Sequence, residues 1–377
     1  MAEEKFINKT DKPDNVVRRE QKVLNDCEEI EKQLPSWLRG YFMYLKTGVL
    51  PMTRFSYLTD IRFFFNYLIK ETELKEKYTD INEIKPEDLD KIEAYEINIF
   101  IDYCRRYKKE DKDGNKVVYE NQNSALSHKK SSVSVLFKYL YRDGFVSKNI
   151  TDGFDPIRMP KPGEREIKAL QDNEVMVMLD AVENGTGLTE HEKVYWEKTK
   201  HRDKLILLLL VTYGLRLSEL QQLNISSFNF DRGEFKIYRK RGKESIMPVN
   251  NTISEAFREY VSLERPKDDS LSDINKDALL LSLKGTRLTD RQIREIVKKY
   301  TSISLGTSRR SGYSPHKLRA TAATSLIGRG NSIYDVQELM DHDNVTTTQL
   351  YAQHKLNTKR ELIKNFEWGE DLKKQNE

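Results

Sequence analysis

The sequence predicts a mainly helical fold of two domains, with one small antiparallel β-sheet in the second domain. The chain has 377 residues, which suits two domains of roughly 150 residues each. Apolar residues recur three and four positions apart through most of the chain, as they do in amphipathic helices. Residues 228–249 differ, because there short β-type segments are separated by glycine-containing turns.

The first domain is expected to span residues 31–150 and to hold four helices. Residues 1–30 are highly charged and lack a clear apolar stripe, so we interpret them as an N-terminal appendage. Pro51 and Pro86 stand where proline is well tolerated, at the start of the second and third helices. The polar stretch 109–118 is typical of a loop. The four helices are predicted at about 32–45, 52–70, 86–107 and 121–142.

A linker is predicted at residues 151–168, which contain three prolines and two glycines among charged residues. Residues 169–377 then form the second domain. Its sheet is expected to have two or three antiparallel strands within 228–249. Its helices are predicted at 171–183, 201–213, 251–264, 289–301, 315–329, 332–340 and about 355–374.

Composition excludes several classes of protein. The longest uninterrupted apolar run, Leu205 to Val211, has seven residues, whereas a membrane-spanning helix needs about 20. Two cysteines, Cys27 and Cys104, cannot build a disulfide framework or a cysteine-rich zinc site, so we expect a reducing cytoplasm. The net charge of +4 neither requires nor excludes a nucleic-acid partner, but basic residues cluster locally.

Four stretches of the second domain carry residues suited to phosphate chemistry. Each stretch alone is more often structural, since an arginine after a glycine is usually a surface ion-pair residue and a tyrosine usually belongs to core or surface. Together, in this order along the chain, they are what tyrosine-based phosphoryl transfer on DNA requires. The candidates are Arg216, Lys240, His316, Arg319, His342 and Tyr351.

The arginines, the tyrosine and the first histidine would carry out the attack on a phosphate. Arg216 and Arg319 can clamp the non-bridging oxygens of a phosphodiester and neutralise the charge of its transition state with planar donors. The hydroxyl of Tyr351 has an ordinary pKa of about 10, so it needs a base and a positive field before it attacks. His316 lies three residues before Arg319 on one helix face and is a candidate for that base.

The remaining candidates would serve the leaving group and the phosphate. Lys240, at the end of a strand, can protonate the departing 5′ oxygen, and Lys243 on the same turn is an alternative. His342 can hydrogen-bond the phosphate. We expect no metal and no cofactor, because the sequence offers no acidic metal cluster, no glycine-rich phosphate loop and no ATP motif.

Five motifs carry a resemblance to a known family. They are GLRLSEL (214–220), YRKRGK (238–243), HKLR (316–319), LMDH (339–342) and TTQLY (347–351). The set resembles that of the tyrosine recombinases, or lambda-integrase family, over about residues 32–365. The resemblance implies a C-shaped clamp around duplex DNA, formed by a helical core-binding domain and a catalytic domain. It also implies a 3′-phosphotyrosine at Tyr351, rejoining by a free 5′ hydroxyl, and a homotetramer on two DNA sites in which residues 356–372 dock on a neighbouring subunit.

Within that family the chain is most similar to the single-protein, XerS-like branch of the Xer recombinases. The similarity rests on LPSW (34–37), on YLTDIRFF (57–64) and on Arg239-Lys240. It implies resolution of chromosome dimers at a dif-like site, in a bacterial cytoplasm and in association with the nucleoid, with an FtsK-type DNA translocase as a candidate activator. Three alternatives stay open: an integrase or excisionase of a conjugative transposon or prophage, a type IB topoisomerase-like relaxase, and a non-catalytic DNA-binding accessory protein.

Two positions depart from the pattern of many Xer proteins. Ala320 stands where many have histidine after the second arginine, and Asp341 stands where many have glycine before the second histidine. Neither position supplies phosphoryl chemistry, so the expected activity is unaffected. We expect the carboxylate of Asp341 either to be solvated or to raise the pKa of His342.

Further DNA contacts are expected outside the catalytic set. The fourth helix of the first domain begins with short polar and basic residues ahead of an apolar run. The resemblance implies that this stretch faces the major groove, with lysines at the phosphates and serines in closer contacts. The predicted contact residues are Arg54, Tyr57, Lys129, Lys130, Ser131, Ser132, Arg241 and Lys243.

Overall fold

The structure is a computed structural model that describes residues 8–110, 113–160, 168–239 and 242–341. Over these residues the chain is mainly helical, and its strands form two small antiparallel sheets. The predicted fold class is therefore confirmed. The chain divides into two compact units, Met1–Met159 and Pro160–Glu377. Among the described residues, no helix is both long enough and apolar enough to span a membrane.

The first unit is a helical assembly with a β-hairpin. Its described elements are α1 (Asp14–Glu31), α2 (Arg39–Gly48), α3 (Pro51–Glu71), α4 (Pro86–Asp90), α5 (Ala94–Arg105), β1 (Arg106–Glu110), β2 (Lys116–Glu120) and α6 (Asn123–Arg142). Helix α3 packs against both α1 and α6. The core is rich in aromatic rings, since the Phe64 centroid lies 4.9 Å from that of Phe100 and 6.2 Å from that of Phe137. Such ring pairs stabilise a core beyond the apolar area they bury.

The N-terminal segment 1–30 is not an appendage from residue 14 onwards, which corrects the sequence interpretation. Helix α1 packs along α3 and buries Val16, Cys27 and Ile30. A single narrow apolar face is enough to dock a helix on a core, and the other faces of α1 keep the charges that dominate its sequence. Burial raises the pKa of the Cys27 thiol, as expected of an inert cysteine in a core.

The predicted loop at 109–118 is also corrected, because most of its residues lie in a β-hairpin. Strands β1 and β2 pair in antiparallel register, with Tyr107 opposite Tyr119. These two rings stack 5.3 Å apart, and the Tyr107 ring lies 5.0 Å from that of Phe63 on α3. The aromatic face thus fixes the hairpin to the unit. The expected third helix, 86–107, is two helices, α4 and α5.

The second unit is built around a helix whose C-terminal part is apolar on all sides. Its described elements are α7 (Asp172–Asn184), α8 (Glu190–Trp196), α9 (Lys200–Tyr213), α10 (Leu217–Gln221), β3 (Phe228–Asn229), β4 (Glu234–Tyr238), β5 (Glu244–Pro248), α11 (Asn251–Leu263), α12 (Asp290–Ser304), α13 (Pro315–Gly328) and α14 (Ile333–Met340). Residues 205–210 of α9 are all buried, as expected of a helix without a polar face. Helices α7, α11 and α13 pack around it.

The sheet of the second unit has three antiparallel strands in the order β3-β4-β5, within the predicted range 228–249. Tyr238 at the end of β4 lies opposite Glu244 at the start of β5. Of the two lysines predicted between these residues, Lys243 is described and Lys240 lies outside the described residues. The expected helix at about 355–374 lies outside the described residues.

Part of the predicted linker, 151–168, belongs to the first unit. Residues 151–153 form a short 3₁₀ helix, and Phe154 is buried in the core of that unit. Residues 161–167 lie outside the described part of the chain. The prolines and glycines that predict a linker therefore begin within the packed first unit.

A cluster of small side chains joins α13 to α14. Ala320, Ala322 and Ala323 of α13 are buried against Val336 and Met340 of α14. The distance between packed helices depends on the size of the side chains at the contact, so these alanines permit a close approach. The end of α14 is thereby held next to α13.

Candidate active site

The turn between α9 and α10 requires a glycine. Gly214 ends α9 with a φ of 60°, in the left-handed region. A Cβ atom at this position would lie 2.6 Å from Cε of Met340 and 3.4 Å from Cγ of Arg319. The glycine thus lets the chain turn closely past α13 and α14, and it places Arg216 at the N-cap of α10.

Arg216 is positioned by Glu219, which is 3% exposed. The backbone amide of Arg216 donates to Oε2 of Glu219 at 2.8 Å, and its Nη1 donates to Oε1 at 2.8 Å. Its Nη2 donates to the backbone carbonyl of Asp341, also at 2.8 Å. Because the Arg216 side chain is 26% exposed, the guanidinium is fixed by the protein and still accessible from the surface.

Arg319 reaches the same place from α13. The residue is 3% exposed, and its Nη1 donates to the carbonyl of Gly214 at 2.6 Å. Its Nη2 donates to the carbonyl of Met340. Arg216 and Arg319 therefore bond to consecutive carbonyls, those of residues 341 and 340, where α14 ends. The structure brings these two predicted residues together.

His316 lies in the first turn of α13, one turn before Arg319. Partial burial of its ring, together with the positive charges of Lys317 and Arg319, lowers the pKa of His316 from its ordinary value of 6.5. The imidazole is therefore mainly neutral at pH 7 and has a nitrogen lone pair that can accept a proton. This is the protonation state that a general base needs.

The carboxylate of Asp341 is not simply solvated, which corrects that expectation, whereas its expected effect on the pKa of His342 concerns a residue outside the described ones and stays a prediction. The side chain is 26% exposed, and Oδ1 accepts a hydrogen bond from Nζ of Lys243 at 3.1 Å. Oδ2 lies 3.9 Å from Nη1 of Arg216 and 3.8 Å from Nη1 of Arg239. Although partial burial alone would raise the pKa of Asp341, the Lys243 hydrogen bond and the nearby positive charges hold it below its usual range.

Arg239, at the end of β4, is a residue whose place in the site the sequence did not reveal. It is 6% exposed, and its Nη2 donates to the carbonyl of Leu339 at 2.8 Å. Its Nε and Nη1 are buried and have no hydrogen-bond partner among the described residues. Burial lowers the pKa of Arg239, against the opposing charges of Glu219 and Asp341. In the sequence, Arg239 belongs to the YRKRGK motif and to a basic cluster, but neither assigned it a role in the site.

Four predicted residues lie outside the described residues: Lys240, Arg241, His342 and Tyr351. Lys243, the alternative to Lys240, is described, and its side chain is 69% exposed. Within the described ranges, no group of three or more His, Cys, Asp or Glu side chains is placed to hold a metal ion.

In the first unit, Asp60 of α3 gathers polar residues from the start of α6. The Nζ of Lys129 lies 2.9 Å from Oδ1 of Asp60, and Oγ of Ser132 donates to Oδ2 at 2.8 Å. The Nδ1 of His128 lies 2.7 Å from the same Oδ2. Ser132 is fully buried and the Lys129 side chain is 15% exposed. Both residues fasten α6 to α3, and the full burial of Ser132 corrects its predicted DNA contact, while the contact predicted for the partly exposed Lys129 stays a prediction.

The predicted contact residues on α3 also separate into two kinds. Arg54 is 4% exposed, and its Nε donates to Oε1 of Glu31 at 3.0 Å. This buried ion pair joins α3 to α1, so the predicted DNA contact at Arg54 is corrected. Tyr57 is partly exposed, and its ring lies 5.8 Å from that of His128 in an edge-to-face arrangement.

Two predicted residues on α6 lie along a shallow groove. The groove has a volume of about 400 Å³ and is lined by Lys130 and Ser131. Ser131 is exposed. The Nζ of Lys130 donates to the carbonyl of Asp155 at 2.6 Å, and Oγ of Ser131 donates to the carbonyl of Ser127 at 2.9 Å. These two residues keep surface positions that a partner can reach.

Comparison with known proteins identifies a family. A model of the phage integrase family matches residues 168–358 of this chain. Tyrosine recombinase XerC of Thermodesulfovibrio yellowstonii is 29% identical over 255 residues, which make up 67% of this chain and 78% of that protein. The match to this relative thus extends beyond the range matched by the family model.

Solved structures with a similar fold include two recombinases in complex with DNA. XerH bound to its difH substrate in a pre-cleavage complex has a TM-score of 0.58, with 18% identity over 93% of this chain and 90% of that chain. A lambda integrase tetramer bound to a Holliday junction has a TM-score of 0.53, with 17% identity over 84% of this chain and 76% of that chain. At these identities, the likeness shows the fold alone.

Proposed function

This chain belongs to the phage integrase family and is a tyrosine recombinase, a DNA strand-exchange enzyme, and we propose that it works through the six catalytic residues predicted from its sequence. The observation that supports this most strongly is the convergence of Arg216 and Arg319 at the end of α14. Two planar guanidinium groups at one place suit a phosphate, whose non-bridging oxygens accept paired hydrogen bonds. The neutral imidazole of His316, on the same helix as Arg319, fits the role of base.

The proposed reaction begins when the hydroxyl oxygen of Tyr351 attacks the scissile phosphorus. His316 takes the phenolic proton, and the bond from phosphorus to the 5′ oxygen breaks as the bond to tyrosine forms. Lys240 gives its proton to the departing 5′ oxygen, which leaves a 3′-phosphotyrosine and a free 5′ hydroxyl. His342 donates a hydrogen bond to the phosphate. Attack by the 5′ hydroxyl of a second strand reverses each step and joins that strand.

The arginines would supply most of the electrostatic stabilisation. Arg216 and Arg319 are held by carbonyls and by Glu219 before any substrate arrives. Donors fixed in advance need no reorganisation when negative charge develops on the phosphate, and removing one such donor typically lowers the rate by about 10²- to 10³-fold. The rigid arrangement around Gly214 therefore supports the assignment of both residues to phosphate binding.

We propose that both units bind duplex DNA. The first unit, Met1–Met159, would act as the core-binding domain through the partly exposed Tyr57 and Lys130 and the exposed Ser131. The second unit, Pro160–Glu377, would hold the catalytic site, with Arg241 and Lys243 at phosphates. The solved lambda integrase tetramer supports a homotetramer for this chain, in which residues 356–372 dock on a neighbour.

We further propose that the substrate is a dif-like site and that the role is resolution of chromosome dimers. The similarity to XerC and the shared fold with XerH support this role. It implies work on the nucleoid of a bacterial cytoplasm, with activation by an FtsK-type translocase. The shared fold with lambda integrase supports the second candidate, an integrase or excisionase of a conjugative transposon or prophage.

Covalent trapping tests the proposal. The full-length protein is mixed with nicked duplexes that carry either a palindromic site from the replication terminus of the host or the ends of a mobile element beside the gene. Tyr351→Phe is the control, because it removes only the nucleophilic oxygen. We expect a denaturant-resistant protein–DNA adduct with the wild-type chain and none with the variant.

The substrate that forms the adduct decides between the roles. An adduct on the terminus site alone supports chromosome dimer resolution, and one on the element ends alone supports the integrase. Relaxation of a supercoiled plasmid without recombinant products would instead favour a type IB topoisomerase-like relaxase. An adduct that persists in Tyr351→Phe would refute the assignment of the nucleophile.

A further inference from the structure

A cluster of opposite charges lies at the end of α14. It consists of the Asp341 carboxylate and the side chains of Arg216, Arg239 and Lys243, and we name it the Asp341 cluster. Arg239, Lys243 and Asp341 also line a pocket of about 330 Å³, together with Ser245, Tyr334, Gln337 and Glu338. The Asp341 carboxylate therefore stands among three cations at a solvent-accessible place beside Arg216, with Glu338 on the wall of the same pocket and Glu219 already paired with Arg216.

The Asp341 carboxylate forms a hydrogen bond with only one of these three cations. Its hydrogen bond to Lys243 is 3.1 Å long, whereas its distances of 3.8 Å to Arg239 and 3.9 Å to Arg216 are too long for hydrogen bonds. Nε and Nη1 of the buried Arg239 consequently lack partners among the described residues. Unpaired polar groups in a protein interior are rare and costly, and they are found where a ligand completes the site.

The backbone of Asp341 ends α14 in the left-handed region, with a φ of 50°. This conformation is common at the end of a helix, and aspartate adopts it more readily than most residues. In this position the Asp341 carbonyl accepts a hydrogen bond from Nη2 of Arg216, while the side chain pairs with Lys243. Both the backbone and the side chain of Asp341 therefore bind cations of the site.

We propose that Arg239 is a further phosphate-binding residue of this recombinase, and that the Asp341 carboxylate occupies its site until a DNA phosphate displaces it. The inference rests on the proposed function. A phosphodiester carries the same charge as the carboxylate, but its two non-bridging oxygens spread from a tetrahedral centre. They can therefore reach Arg216 and the unpaired Nη1 of Arg239 together, whereas Oδ2 of the planar carboxylate stays 3.9 Å and 3.8 Å from the Nη1 atoms of these two arginines.

Displacement does not require the Asp341–Lys243 pair to break. The Lys243 side chain is 69% exposed, so it can follow the carboxylate outwards as the phosphate enters. The site would then exchange one anion for another, and no buried cation would be left without a counter-charge. Because the pKa of Asp341 lies below its usual range, the residue competes as an anion and does not vacate the site by protonation near pH 7.

Binding of inorganic phosphate to the full-length protein tests this inference without a recombination site. Arginine labelled with ¹⁵N allows the Nε–H resonance of Arg239 to be followed during a phosphate titration, and the resonance is assigned by its loss in Arg239→Lys. We expect Asp341→Asn to bind phosphate about tenfold more tightly than the wild type, because two anions no longer compete for the same cations. Asparagine suits the left-handed conformation, so the variant keeps the backbone.

Two variants serve as controls. Asp335→Asn makes the same change in charge at an exposed position of α14 and should leave the phosphate affinity unchanged. In the double variant Asp341→Asn/Arg239→Lys, the phosphate affinity should return to within about twofold of the wild type, because the two residues are coupled through one interaction. Equal affinities of Asp341→Asn and Asp335→Asn would overturn the inference even if Arg239→Lys does not fold. A double variant that keeps the higher phosphate affinity of Asp341→Asn would also overturn the inference.

The two proposals fail separately. If phosphate affinities follow the expected order but no adduct forms on Tyr351, the proposed function is at fault and the anion site stands. If the adduct forms but Asp341→Asn gains no affinity, the recombinase assignment stands and the role of Arg239 is wrong.

Discussion

Replacing Glu219 with alanine should weaken both the folding of the second unit and the proposed cleavage of DNA. Glu219 is 3% exposed and accepts two hydrogen bonds of 2.8 Å from Arg216, one from the backbone amide and one from Nη1. Truncation removes both and leaves the guanidinium without its carboxylate. The effect on Arg216 is thus one of position as well as of charge.

The size of the effect follows from burial. Removing one partner of a fully buried ion pair costs about 3–5 kcal/mol. The Arg216 side chain is 26% exposed, so water compensates part of the loss, and we expect a decrease of about 2 kcal/mol in the free energy of unfolding. Misplacement of Arg216 should lower the rate of strand cleavage by about 10²-fold, the usual consequence of losing a fixed donor at the reacting centre.

Urea unfolding and single-turnover trapping on nicked duplex measure the two effects. Glu219→Gln keeps the shape and one acceptor oxygen, so it should fall between the wild type and alanine. Glu295→Ala is the matched control, because the Glu295 side chain is 63% exposed and its ion pair with Lys298 spans 3.6 Å. If Glu219→Ala unfolds within about 0.5 kcal/mol of the wild type and cleaves at the same rate, then Glu219 does not position Arg216.

Three further predictions concern single residues. Gly214→Ala should cost about 1–2 kcal/mol in a thermal melt, because its φ is positive. Its Cβ would also lie 2.6 Å from Cε of Met340, so the end of that buried side chain would have to shift, whereas Gly233→Ala, also at positive φ but with nothing within 4 Å, should cost slightly less. The rate of DNA cleavage should fall on acidification with a midpoint below pH 6.5, because the pKa of His316 is lowered and the imidazole stays neutral until the pH reaches that pKa. His316→Gln should abolish this acidic limb of the pH–rate profile. In urea unfolding, Arg309→Ala should destabilise the protein more at pH 7 than at pH 3, because hydrogen bonds from Arg309 lower the pKa of Glu192 to about 2. The stabilisation by this ion pair is complete above 4.5, the ordinary pKa of glutamate, and is lost as the pH falls towards 2. A pH-independent loss would show that this pair is not responsible.

The helices that the sequence predicted best are those whose apolar spacing decides their packing. Residues 205–211 could only be a buried segment, and 201–213 was predicted as the helix that became α9. The hairpin was missed because β1 is mostly charged and its apolar residues are few, namely Tyr107 in β1 and Val117, Val118 and Tyr119 in β2. In a two-stranded ribbon with one face in solvent, such a pattern cannot be distinguished from a polar loop until the partner ring on α3 is known.

For the candidate site, the sequence predicted residue types well and burial poorly. Arg216 and Arg319 are recognisable from their motifs, and the structure brings them together. Ser132 and Arg54 were misjudged, because a polar residue on an amphipathic helix can face either solvent or a buried partner. The position of Arg239 depends on the end of α14, which lies about 100 residues further along the chain and leaves no local signal.

The alanine contact between α13 and α14 has a consequence for consensus engineering. Many of the Xer proteins that the chain resembles carry histidine at position 320, but here Ala320 is 4% exposed and packs with Val336 and Met340. An imidazole at that position would have to push α14 away from α13, at a cost of about 1–3 kcal/mol for overpacking. Glycine at position 341 would relieve a positive φ of 50°, but it would also remove the carboxylate that faces Lys243, Arg239 and Arg216. A variant averaged from the family would thus disturb the packing at position 320 and the charge balance at position 341, since each residue belongs to its own network of contacts.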